Sequence, residues 1–113
     1  MSDLILIYIT CGSVEDARCI GRHLLEKRVC GCVNIFPEMQ PMYWWPPKAN
    51  TIEEQPEVVL IVKTLQKYFT KVEAEVRRLH PAETPCLIAM PVSNVNNDYY
   101  QWIKGELVEE YDA

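Results

Sequence analysis

Twice in this chain a short run of β-branched and aliphatic residues gives way to a stretch whose apolar residues recur every three or four positions. The first run is Leu4-Ile5-Leu6-Ile7-Tyr8-Ile9-Thr10, and its unbroken apolar character predicts a strand buried on both faces. Cys11-Gly12 breaks it, Ser13 can cap a helix, and Glu15 and Asp16 fall in the first turn, where acids suit the helix dipole. Ala17, Ile20, Leu24 and Leu25 then share one helical face, with Arg18, Arg22 and Glu26 turned away, His23 exposed among them, and Lys27 and Arg28 at the closing end. The second run covers residues 57–64, and Leu65, Phe69, Val72, Val76 and Leu79 follow it as the cleanest helical stripe in the sequence, stopped by Pro81.

Three further segments complete the pattern. Residues 32–44 are extended but interrupted by Pro37 and Pro41, which predicts an edge strand or a bulge because proline cannot donate to a ladder. Pro46-Pro47-Lys48-Ala49-Asn50 is turn chemistry that folds this stretch back on residues 57–64 as a long antiparallel hairpin. Residues 86–92 supply a fourth strand, and residues 98–108 a last helix with Tyr99, Trp102, Ile103 and Leu107 inward. The order β-α-β-β-α-β plus a terminal helix is that of an α+β, ferredoxin-like sandwich, four antiparallel strands with two helices over one face. The other face needs a cover. The hairpin carries Phe36, Met39, Met42, Tyr43, Trp44 and Trp45, more apolar surface than a solvated hairpin holds, so self-association is expected.

Composition narrows the function classes. At 113 residues the chain is sized for one domain, and 49% apolar with 24% charged residues is a globular balance. No apolar run approaches the ~20 residues that cross a bilayer, and the start Met-Ser-Asp lacks the basic beginning of a secretory signal, so a cytoplasmic protein without a membrane partner is expected. Net charge is −5, with four acids in residues 106–113, read as an acidic, partly frayed tail of the single domain 1–113. The remainder is close to neutral, so nucleic acid is not an expected partner. Five cysteines cannot all pair, and reduced thiols are expected. The four glycines match no phosphate-cradling motif, and Cys11-Gly12-Ser13 offers no guanidinium to grip a phosphate.

The chemistry-bearing candidates are few. Cys30 and Cys32 lie two apart, so a strand would put both thiols on one face, a donor type suited to Cu(I), although small apolar core residues fill the same role. His80 closes a helix, where it serves as a cap or, with Glu83 three residues on, as half of a polar pocket. A Cys32–His80 nucleophilic pair would need an oxyanion motif that is missing, so no enzyme activity is expected.

Several blocks together resemble one family: residues 26–37 (Glu-Lys-Arg-Val-Cys-Gly-Cys-Val-Asn-Ile-Phe-Pro), Tyr43-Trp44-Trp45, Glu53-Glu54 leading to residues 57–64, His80-Pro81-Ala82-Glu83 leading to residues 88–92, and Tyr99 with Trp102. In this order, across nearly the whole chain, they are similar to the CutA family of divalent-cation tolerance proteins. The resemblance implies a ferredoxin-like trimer whose hairpin strands pair between subunits, associated with tolerance to copper and other divalent metals and with no established reaction or required cofactor. It also implies copper or another divalent metal as ligand, held by Cys32 and His80 with Cys11 as a third donor. Where members carry a cysteine near the end of the first strand, a second histidine before His-Pro, and a tyrosine after it, this chain has Thr10 beside Cys11, Leu79 and Ala82. Its hairpin tip, Trp45-Pro46-Pro47-Lys48, is also longer. The alternative is a small-molecule sensor like the PII-type trimers of the same fold class, with Lys63, Glu83, Tyr99 and Trp45 forming an intersubunit cleft.

Overall fold

In the computed structural model, which describes residues 2–108, the first strand β1 runs Leu4–Cys11 and lies at the centre of the sheet rather than at its rim. Ser13 then caps α1 (Val14–Glu26), its side chain accepting from the Asp16 amide at 3.1 Å. The chain continues as β2 (Cys32–Met39), the two-residue strands β3 (Tyr43–Trp44) and β4 (Ile52–Glu53), and β5 (Glu57–Leu65). A 3₁₀ turn, Gln66–Tyr68, leads into α2 (Phe69–Leu79), followed by β6 (Leu87–Pro91) and α3 (Asn97–Glu106). The main sheet has the order β2-β5-β1-β6, all neighbours antiparallel, which is the expected ferredoxin-like topology. Leu65 ends β5 instead of opening the helix. The stripe predicted from it is otherwise correct, with Val72 and Val76 fully buried.

Register decides which residues meet the helices. Ile5, Ile7, Ile9 and Cys11 stand opposite Thr64, Val62, Leu60 and Val58, and all eight are buried, together with Ala17, Ile20 and Leu24 of α1 and Val72 and Val76 of α2. Thr64 is the polar member, and its hydroxyl donates to the Val29 carbonyl at 2.7 Å, which removes the cost of burying it unpaired. Truncating a side chain here, such as Leu60→Ala, removes contacts worth about 2–5 kcal/mol. The alternate residues Leu6, Tyr8 and Thr10 are only half-buried, so β1 is not closed on both faces as its apolar run suggests. Their face also carries Phe36 (51% exposed), Ile88 (54%) and Met90 (37%), and no helix lies over it along most of its length.

The hairpin departs from a single continuous pairing. A bulge between Phe36 and Met39 shifts the register of the β2–β5 ladder, which closes at Met39 opposite Glu57, with Pro37 lacking a donor and Glu38 at a φ of 65°. Beyond Pro41 the chain starts a separate ribbon in which Tyr43 faces Glu53 and Trp44 faces Ile52. Its tip is closed by the Trp45 amide on the Thr51 carbonyl at 3.0 Å and the Ala49 amide on the Pro46 carbonyl at 3.2 Å. The radius of gyration, 15.0 Å, exceeds the ~13 Å expected for a compact chain of this length, because the ribbon projects.

α3 is anchored at both ends. Ile103 is fully buried against Gly31, the Tyr100 hydroxyl donates to Asp3 at 2.5 Å, and Arg28 pairs with Glu106 at 2.6 Å. Residues 106–108 of the predicted tail are therefore held, with Leu107 buried and the Tyr68 hydroxyl donating to the Val108 carbonyl at 2.6 Å. Residues 109–113 of that tail lie outside the described residues. Trp102 faces outward, 47% exposed, because Ile103 and Leu107 already fill the inner face.

Candidate functional site

The end of β1, the start of β5 and the 80–86 loop meet the base of the projecting ribbon around a cleft of about 640 Å³. Thr10 and Cys11 form its floor, Met39, Tyr43 and Trp45 one wall, and His80, Glu83 and Cys86 the other, with Glu57 between them. The register explains the meeting. β1 pairs on one side with β5, placing Cys11 opposite Val58 beside Glu57, and on the other with β6, placing Thr10 beside Cys86.

His80 closes α2 and reaches the first strand. Its Nε2 lies 2.8 Å from the Thr10 carbonyl, so Nε2–H donates, and its Nδ1 accepts from the Ala82 amide at 3.0 Å. These bonds assign the Nε2–H tautomer and occupy both ring nitrogens, leaving neither a lone pair for a metal nor a base for a nucleophile. Cys11 is buried, and burial, then the charges of Asp16 and Glu57, push its thiol up to about 11. Such a thiol is a poor nucleophile and a poor metal donor at neutral pH. Burial also raises the Cys86 thiol, and Glu57 raises it further against an opposing hydrogen bond from Thr10. Desolvation raises the phenol of Tyr43, and its hydrogen bond to Glu57 and the charges of Glu57 and Glu53 add to it.

The residues assigned from the sequence divide between two ends of the sheet. Cys11, His80, Glu83 and Trp45 line the cleft. Lys63 and Tyr99 lie at the opposite end, where the Lys63 ammonium donates to the Tyr99 hydroxyl at 3.2 Å and sits over its ring. Six residue steps along β5 separate Glu57 from Lys63, about 20 Å, so Lys63 and Tyr99 do not share a pocket with Glu83 and Trp45 in one chain. Cys32 stands opposite Lys63 on the open face. It is about 13 Å along the strands and two strand spacings, about 10 Å, across the sheet from the Thr10 carbonyl that His80 contacts. Cys11, Cys32 and His80 are therefore not brought together within a chain, and among the described residues no three His, Cys, Asp or Glu side chains converge as a metal site. Cys30 does not join Cys32 at the surface: it is buried, and its thiol is pushed up to about 12 by that burial and the neighbouring Cys32.

Glu57, Met39 and Cys86 also line the cleft, and none of them was named as a site residue from the sequence. Each lies at or next to a strand end: Met39 stands opposite Glu57 in the β2–β5 pairing, and the pairing of β1 with β5 and β6 brings Cys86 to the same end of the sheet. His23, expected to be exposed, is only about a quarter so; its Nε2 lies 2.5 Å from Glu75 Oε1 on the neighbouring helix.

Comparison with known proteins decides the family. The CutA1 divalent ion tolerance protein family model matches residues 5–106. The chain belongs to the CutA1 family. A divalent-cation tolerance protein CutA from Archaeoglobus fulgidus is 42% identical over 103 residues, covering 91% of this chain and 96% of that one. The corresponding Thermus thermophilus protein is 36% identical over 99 residues, covering 88% and 93%. Among solved structures, CutA from Xylella fastidiosa superposes with a TM-score of 0.89 at 32% identity, covering 95% of this chain and all of that one. The A. fulgidus protein, described as periplasmic, superposes at 0.86 with 38% identity over 91% of this chain and 97% of its own. This CutA1-family chain thus matches these relatives over most of its length, and no helix among its described residues is long and apolar enough to cross a membrane.

Proposed function

We propose that this CutA1-family chain acts in tolerance to divalent cations, copper among them, as a homotrimer without a catalytic step. The observation that carries the reading is the family match across residues 5–106, and the open sheet face with Phe36, Ile88 and Met90 supports self-assembly. The donor set of a single chain does not fit a bound metal, since His80 is internally satisfied and Cys32 lies elsewhere. A copper site would draw on donors from more than one subunit, with Cys32 on the face where subunits would meet. Absence of chemistry fits the cleft: the high thiol of Cys11 and the engaged nitrogens of His80 leave it without an activated nucleophile. A cytoplasmic site of action is supported by five cysteines with no disulfide partner, although one structural relative is described as periplasmic. The experiment is growth of a host lacking its own family member under copper, zinc and cobalt stress, with and without this chain. Restored growth supports the reading, and unchanged sensitivity to all three metals overturns it.

A second reading, ligand sensing, is favoured by one observation. At about 640 Å³ the cleft lies within the ~300–1,000 Å³ usual for small-molecule sites and is far larger than a bare ion needs.

A further inference from the structure

The charge and chemistry of the cleft select a ligand class. Two carboxylates line it, Glu57 and Glu83, and no Lys or Arg does. Neither carboxylate makes an ion pair among the described residues, whereas Glu26, Glu73, Glu75 and Glu106 all do. Glu57 is half-buried between Tyr43, Cys11 and Cys86, and its field raises the proton affinity of all three. The wall opposite the 80–86 loop is aromatic and thioether surface from Trp45, Tyr43 and Met39. Among the described residues the cation–π contacts are Lys63 over Tyr99 and Lys67 over Tyr68, so no internal cation uses the rings of the cleft.

An anion is repelled by such a lining, and a neutral apolar molecule leaves the negative charge uncompensated. A bare divalent metal would need converging donors, which the described residues do not provide. What remains is a positive group without strict coordination geometry, attached to enough hydrocarbon to cover the rings. A weakly hydrated ammonium meets both conditions, because ring faces and carboxylates attract it together.

We propose that the cleft of the CutA1-family chain binds a small organic cation, an ammonium group on an apolar body, with Glu57 and Glu83 compensating its charge and Trp45 and Tyr43 packing on it. The proposal deepens the ligand-cleft reading and does not depend on cation tolerance, which the growth assay tests separately. Glu57 is the main charge partner because it is the more enclosed of the two. Glu83 stands on the exposed loop and closes the outer side.

The probe is benzyltrimethylammonium, titrated calorimetrically into the full-length protein in its native oligomeric state, with benzenesulfonate and benzyl alcohol as anionic and neutral counterparts. Saturable binding of the ammonium with a dissociation constant of about 1 mM is expected, in keeping with the size of the probe. The neutral and anionic probes should bind at least ~10-fold more weakly, as expected from an attraction of ~1.4 kcal/mol to Glu57. Glu57→Gln should weaken the ammonium about 10-fold and Trp45→Leu about 3-fold. Because Glu57 begins a central strand, Glu83→Gln, on the loop, is the second variant, and a loss of about 3-fold with an unchanged circular dichroism spectrum is expected. Equal binding of all three probes, or ammonium binding indifferent to both glutamate substitutions, overturns the cationic assignment. Binding of benzenesulfonate alone overturns it while leaving a ligand cleft in place. No binding of any probe up to ~20 mM overturns both, since even weak sites of this volume register there.

Discussion

His80 and Glu75 are both polar groups held by neighbours, and each makes a different measurable statement. His80 links the end of α2 to the first strand through Thr10 and to its own loop through Ala82. His80→Ala should therefore lower stability by about 1–2 kcal/mol through the two lost hydrogen bonds. The same variant should leave Cu(I) affinity within ~2-fold of wild type, because a change of under ~0.4 kcal/mol is what removal of a non-ligand produces. A chelator competition titration on wild type, His80→Ala and Cys32→Ser, with oligomer size checked in each, reads this directly. A large loss in His80→Ala alone would mean that the ring turns to the metal. Glu75 is almost buried between α1 and α2, 2.5 Å from His23 and 2.8 Å from Arg78, with Lys71 at 3.9 Å. The hydrogen bonds from His23 and then Arg78 hold its carboxyl down to about 2, below the ordinary 4.5. Because the folded value lies below the unfolded one, its contribution is fully present above about 4.5 and is lost as the pH falls from there towards 2. Thermal melts between pH 7 and pH 3 should show a shallower acid decline in Glu75→Gln than in wild type, starting from a stability about 1–3 kcal/mol lower at pH 7.

Helices and strands were legible where a single period ran undisturbed. The stripe from Phe69 to Leu79 and the cap at Ser13 required only local information, and both formed as the sequence indicates. The β2–β3 region was not, because Pro37 and Pro41 announce interruptions without saying which partner follows; after Pro37 the chain returns to β5 at Met39, and after Pro41 it pairs with β4. Trp102 illustrates a related limit. A helix with Tyr99, Trp102, Ile103 and Leu107 has two overlapping apolar faces, and docking against Gly31 selects the one centred on Ile103. The candidate site was legible residue by residue, yet its grouping depended on register, which put Lys63 and Glu57 at opposite ends of the same strand. The docking of α3 gives a prediction at this scale. A Cβ on Gly31 would stand 3.2 Å from two Ile103 side-chain atoms and 3.3 Å from its Cα, so the helix backbone itself must shift. Gly31→Ala should destabilise by about 1–3 kcal/mol, with amide exchange accelerated first in residues 97–106. Gly105→Ala, with open space around its Cβ, is the control and should be neutral or stabilising.

For the whole molecule, the question is what covers the sheet. Two helices protect one face, and α3 reaches the other only near Lys63 and Tyr99. What is left carries Phe36, Ile88 and Met90, continuous with a ribbon whose Met42 is 72% and Trp44 68% exposed. Isolated apolar side chains on a surface need no explanation, but exposed ones on both edge strands of a single face, together with those of a projecting ribbon, do. β2 and β6 are also sheet edges, and the strand groups on their outer sides have no neighbour within the described residues. A closed ring of identical subunits would bury both the face and the edges, and a ring needs a heterologous contact that closes after a few copies. The ribbon suits that role because it extends away from its own sheet. The open face and edges call for association and the family resemblance implies three copies, so light scattering should give three times the 13.1 kDa chain mass at micromolar concentration. Phe36→Asp with Ile88→Asp should convert this species to monomer while leaving the helical circular dichroism signal in place, since neither side chain touches the helix-covered core. A wild-type chain that runs as a stable monomer at that concentration would remove the assembly, and with it any metal site built from donors on different subunits. The cleft beside Glu57 would survive that result, because every residue that lines it comes from one chain.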